Sequence, residues 1–210
     1  MKMPVKRIGN VARVALALAA MTATAVAQGK PPADCSKLPN HDQLRAALQG
    51  VVKEGKAANS GMGNQEWAAL VNRDGVVCAV VFSGPDRGTE WPGSRLIAAE
   101  KANTANALSV DNFAFSTANL YFASQPGQSL YSLTTSAPPN PQAAFAGPAD
   151  KFGQPDDPYV GKPIGGIIVF GGGLALYERG GHIVGALGVS GDSYSRNAAE
   201  TLRGAVRRVA

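Results

Sequence analysis

The stretch PIGGIIVFGGGLALYERGGHIVGALGVSG, Pro163 to Gly191, sets two β-rich apolar runs on either side of a polar, glycine-bearing turn. Ile167 to Phe170 predicts one strand, continued past Gly171-Gly172-Gly173 by Leu174 to Tyr177. Glu178-Arg179-Gly180-Gly181 supplies the reversal, and Ile183 to Val189 returns. Glycines inside a strand mark a bulge or a close backbone approach.

Upstream, Trp67 to Val71 and Val76 to Phe82 read as a second hairpin about Asn72-Arg73-Asp74-Gly75. Alternation along it puts Val76, Cys78, Val80 and Phe82 on one face. Asn40 opens a helix with Gln43 three residues on, a capping-box arrangement, and Leu44, Ala47, Leu48, Val51 and Val52 form its apolar stripe. Ser94 is placed to cap a helix running to about Leu108, where Ala98, Ala102 and Ala105 permit close packing. A shorter helix is predicted from Thr117 to Ala123, ended by Gln125-Pro126-Gly127. A final one starts at Asp192 or Ser195, with Ala198, Leu202, Ala205 and Val209 inward. Both strand pairs are joined by short turns, so an antiparallel sheet covered by helices follows.

Residues 1–27 read as a secretory signal: Lys2, Lys6, Arg7 and Arg13 precede an apolar centre, and Ala25-Val26-Ala27 forms a small-residue cleavage site. Residues 28–39 are an extended lead-in, and 40–210 form one domain. The apolar run is too short to cross a bilayer, so no membrane span is expected after cleavage. The leader holds four of the 20 Lys plus Arg and none of the 15 Asp plus Glu, so the remaining chain carries +1 rather than +5. The basic pI thus belongs to the leader and does not argue for nucleic acid as a partner. An exported chain is expected to be periplasmic or secreted. In that oxidising setting Cys35 and Cys78 are expected to bridge, at a gain of about 4 kcal/mol on the chain-entropy model. The competing reading keeps one thiolate as a haem or metal ligand.

Several enzyme templates are excluded. There is no Cys-x-x-Cys or His-x-x-x-His, and His41 and His182 are the only histidines. Gly188-Val189-Ser190-Gly191 lacks the spacing of a nucleophile elbow, and Gly171-Gly172-Gly173 lacks that of a phosphate loop or dinucleotide fingerprint. From Pro138 to Pro163 the chain places seven of its 14 prolines among few apolar residues, the pattern of a long loop.

Three segments together, AAEKANTANAL (Ala98 to Leu108), PGQSLYSL (Pro126 to Leu133) and Ile167 to Gly191, resemble the GlcG/HbpS family of haem-binding-type proteins. The resemblance spans about Asp42 to Val206. The first hairpin, LVNRDGVVCAVVFSG, and the final DSYSRNAAE depart from the family pattern, and the segment at 138–163 is an insertion. The resemblance implies an α/β (α+β), profilin-like architecture: a single antiparallel, roughly five-stranded sheet with helices on both faces. It also implies oligomers and, in some members, bound haem.

On that reading the function expected is an exported haem-binding protein for capture, sequestration or sensing. The alternative is an enzyme or binding protein for a small hydroxy acid or aldehyde of the glycolate or diol utilisation type, although no general base stands beside the candidate residues. His41 lies at the first turn of the first helix, where the dipole favours a neutral imidazole, and is the preferred axial candidate; the plain reading is a solvated surface residue. His182 is the second, with an exposed turn residue as its plain reading. Lys101 and Thr104 match the family's Lys-Ala-x-Thr-Ala pattern and either hold a propionate or small carboxylate, assisted by Arg95, or are a snorkelling lysine and a capping-type hydroxyl. Phe113, Phe115, Tyr121, Phe122 and Tyr131 either line an apolar slot or belong to the core.

Overall fold

A computed structural model of the protein describes residues 34–57, 64–191, 203, 204 and 206. The leader, residues 28–33 of the lead-in, and the predicted inward positions Ala198, Leu202, Ala205 and Val209 lie outside the described residues. Arg203, Gly204 and Val206 are helical, and Val206 is buried in the core.

Helix α1 covers His41–Ala57, strands β1 and β2 cover Glu66–Asn72 and Val77–Phe82, and helix α2 covers Ser94–Leu108. A 3-10 turn at Thr117–Asn119 leads into the short helices α3 (Leu120–Ala123), α4 (Leu133–Ser136) and α5 (Pro141–Ala144). A second 3-10 turn at Ala149–Lys151 precedes β3 (Gly173–Tyr177) and β4 (Ile183–Gly191). The strands form one antiparallel sheet in the order β2-β1-β4-β3. Helices cover both faces, as expected.

The sheet has four strands, not five, among the described residues. The run Ile167–Phe170 is not a strand, because its backbone is bonded elsewhere. Ile167 N–H donates to Ala137 O at 3.1 Å, and Ile168 N–H donates to Thr104 Oγ1 at 2.9 Å. The segment is thereby held against α2, and the ladder of β3 begins only at Gly173.

Capping of α1 is reciprocal. Gln43 N–H donates to Asn40 Oδ1 at 3.0 Å, and Asn40 N–H donates to Gln43 Oε1 at 2.9 Å. Leu44, Leu48 and Val51 then pack on Ala68, Leu70, Ala79, Val81, Leu187 and Val189, which forms one core layer. The opposite layer sets Ala98, Ala99, Ala102 and Ala105 of α2 against Trp67, Ala69, Val80, Phe82 and Ala186. Small residues on α2 let the helix sit on bare strand backbone: a Cβ on Gly188 would lie 1.9 Å from Ala98 O. Ser94 does not cap this helix. It is the first helical residue and buried, and Gly93 occupies the cap position without a side-chain bond.

The expected single face of β2 is broken by a bulge. Leu70 pairs with Ala79 and Val71 with Val77, which leaves Cys78 as the extra residue. Cys78 consequently packs toward the α1 layer, while Val80 and Phe82 face α2. There Cys78 is bridged to Cys35, with Cα atoms 5.7 Å apart, so neither thiol is free to serve as a ligand.

The proline-bearing segment is not a loose loop. Tyr159 and Ile164 are buried in the α2 layer, and Tyr159 OH donates to Ala144 O at 3.0 Å. No helix among the described residues is long and apolar enough to cross a membrane.

Candidate functional site

Arg95, at the start of α2, is committed to the fold. Its Nε and Nη2 donate to Asp157 Oδ2 and Oδ1 at 2.9 and 2.5 Å, with both side chains buried. The guanidinium is sandwiched between Phe152 and Tyr159, 3.7 and 3.4 Å from the ring centroids. Asp157 also accepts from the N–H groups of Gly153 and Tyr159. This cluster fastens the proline-bearing segment to α2.

His41 is likewise engaged. Its Nε2 lies 2.9 Å from Gly153 O, and its Nδ1 lies 2.9 Å from Asp42 Oδ1. A carbonyl only accepts, so Nε2 carries a hydrogen and donates it, which leaves no lone pair there for a metal. The ring thus joins α1 to the proline-bearing segment.

One turn apart on α2, Lys101 and Thr104 do lie side by side, both buried. Thr104 Oγ1 donates to Glu100 O at 2.7 Å and accepts from Ile168 N–H at 2.9 Å, so its hydroxyl is used within the chain. Lys101 Nζ donates to Val189 O at 2.9 Å and sits 5.0 Å from the centroid of the Phe170 ring. Burial pushes this ammonium down to about 8, an effect that nearby Glu66 opposes. Gly172, at φ +122°, presses on the amine: a Cβ there would lie 2.8 Å from Nζ and 2.4 Å from Val189 O. Beside Lys101, Glu100 is pushed up to about 7 by burial beneath Gly166.

His182 has a different setting. It is exposed immediately before β4, and its Nδ1 lies 2.9 Å from Asp111 Oδ2, while Asp111 Oδ1 accepts from Ile183 N–H at 2.9 Å. A carboxylate so placed holds the proton on Nδ1 and directs the Nε2 lone pair outward, the usual outer partner of a metal-binding histidine. The Asp111 hydrogen bond and charge raise the imidazole's pKa. The loop carrying Asp111 is clamped to the hairpin, because Tyr177 OH bonds to Val110 O and Phe113 O at 3.0 and 2.8 Å. Val110 and Phe113, on either side of Asp111, are each 56% exposed. Tyr121, Phe122 and Tyr131 are exposed too, so they are not core residues.

Sequence reasoning missed Asp111, Glu100 and Phe170. Asp111 stands 71 residues from His182 with no motif to link them. No cluster of three or more metal-ligating side chains occurs among the described residues, so a protein-only metal centre is not built there. A single oriented and exposed histidine suits a group that brings its own equatorial ligands.

Comparison with known proteins agrees with the fold. The chain matches, over residues 40–205, the family described as "Haem degrading protein HbpS-like", and it belongs to that family. No functionally curated protein matches it in sequence. Among solved structures it is similar to Klebsiella pneumoniae protein ORFY, at 20% identity and a TM-score of 0.51, covering 78% of this chain and 88% of that one. It is also similar to PduOC, solved as a heme complex, at 23% identity and a TM-score of 0.52, covering 79% and 90%.

Proposed function

We propose that this protein is an exported haem-binding protein that holds haem at its surface through His182 Nε2. The observation that carries this reading is the Asp111 carboxylate 2.9 Å from Nδ1, which fixes the tautomer a ligand needs and leaves the other nitrogen facing water. Val110 and Phe113 supply exposed apolar side chains against which a porphyrin face can rest. Membership of the HbpS-like family and likeness to a protein solved with heme support the same reading. The arrangement favours capture of haem over deep enclosure, since His182 stands 65% exposed. Export, to the periplasm or the medium, is supported by the basic start, apolar centre and Ala25-Val26-Ala27 of the leader.

The test is a hemin titration of the protein from Gln28 onward, followed at the Soret band. A saturable shift that His182→Ala abolishes and His41→Ala preserves is the expected result. Loss in His41→Ala alone, with its fold intact by circular dichroism, would move the ligand to α1. Amino-terminal sequencing of the protein recovered from an exporting host is expected to begin at Gln28.

A further inference from the structure

Beyond haem, one buried group has chemistry that the reading above does not use. Lys101 Nζ is buried and, among the described residues, makes one hydrogen bond, to Val189 O, and no ion pair. Gly172 brings bare backbone against the amine, where a Cβ would collide with Nζ and Val189 O, and a Cβ on Gly173 would collide with the backbone carbonyl of Lys101. The side chain at its outer side is Phe170, whose ring is 5.0 Å from Nζ and whose residue is 45% exposed. A structural lysine gains by reaching water or an acid; this one is buried, feels Glu66 without pairing to it, and has the Phe170 ring beside its amine.

We propose that Lys101 is a carbonyl-trapping amine that forms an imine with a small aldehyde reaching it past Phe170. The neutral nitrogen adds its lone pair to the carbonyl carbon, forming a C–N bond as the C=O π pair moves to oxygen. A proton passes from nitrogen to that oxygen, giving a carbinolamine. Loss of the hydroxyl with one further proton, as water, gives the imine, so neither oxidant nor reductant is consumed. Desolvation supports the step, because an amine titrating at about 8 is roughly 200-fold richer in the neutral form at pH 7.5 than one at the ordinary lysine value. Glycine backbone on one side and Phe170 on the other restrict the reaction to small aldehydes.

The probe is glycolaldehyde with sodium cyanoborohydride, which delivers hydride to the imine and fixes it as a secondary amine. Applied to the folded protein at pH 7.5 and read by peptide mapping, it is expected to label Lys101 at least about 10-fold faster than Lys37, Lys151 or Lys162. Phe170→Ala is expected to accelerate labelling of Lys101, and denaturation to erase the preference. Surface lysines labelled ahead of Lys101, or Lys101 labelled only in the Phe170→Ala variant, would overturn the proposal. The readout does not depend on haem, so this outcome and that of the hemin titration are separate.

Discussion

The two histidines of this chain have the same chemistry and opposite availability, and the difference lies in what each faces. His41 donates Nε2–H to Gly153 O, whereas His182 is held through Nδ1 and keeps Nε2 outward. Protons compete with iron for that nitrogen. Because Asp111 raises the His182 pKa, protons compete for Nε2 to a higher pH than at an unpaired histidine, and haem binding is expected to weaken on acidification. Asp111→Asn is expected to weaken haem binding by about 10- to 100-fold, read by Soret titration at pH 8, where the imidazole competes least with protons. Arg95 belongs to the same scale. Replacing it by Ala leaves Asp157 buried and unpaired and is expected to cost about 3–5 kcal/mol in urea unfolding. None of these pairings was visible in sequence order: Asp157 follows Arg95 by 62 residues and Asp111 precedes His182 by 71. Residue types there were legible, but partners across such distances are chosen by tertiary packing.

Helix α2 carries two neighbours whose burial works in opposite pH windows. Glu100 holds its proton up to about 7 when folded and to 4.5 when unfolded, so stability is full below 4.5 and falls as pH rises to about 7. Lys101 loses its proton at about 8 when folded and at 10.5 when unfolded, so stability is recovered as pH rises from about 8. A shallow minimum between pH 7 and 8 is expected in chemical denaturation. Glu100→Gln should remove the acid limb and Lys101→Met the alkaline one. At this scale local patterns served the sequence reading well. The capping box of α1, the alanine stripe of α2 and the Asn72 to Gly75 turn all depend on near neighbours. The Ile167–Phe170 run misled because β propensity describes side chains, and its N–H groups are taken by Ala137 and Thr104. Likewise the bulge at Cys78 is set by pairing with β1, not by the alternation within β2.

Across the whole molecule, the Cys35–Cys78 bridge ties the lead-in to the edge of the sheet. Replacing both cysteines by serine is expected to lower stability by up to about 4 kcal/mol, measured by thermal unfolding with and without reductant on the parent protein. The sheet order also has a consequence in time. Every residue of β1, from Glu66 to Asn72, pairs with β4, from Gly191 back to Gly185, so the central ladder joins the early part of the chain to its last quarter. Such distant pairing makes for slow, high-contact-order folding. During synthesis the ribosome must deliver Gly191 before this ladder can close, and until then β1 has only its hairpin partner. A nascent chain stalled before Ile183 should therefore stay protease-sensitive throughout, and one released after Gly191 should acquire resistance in a single step.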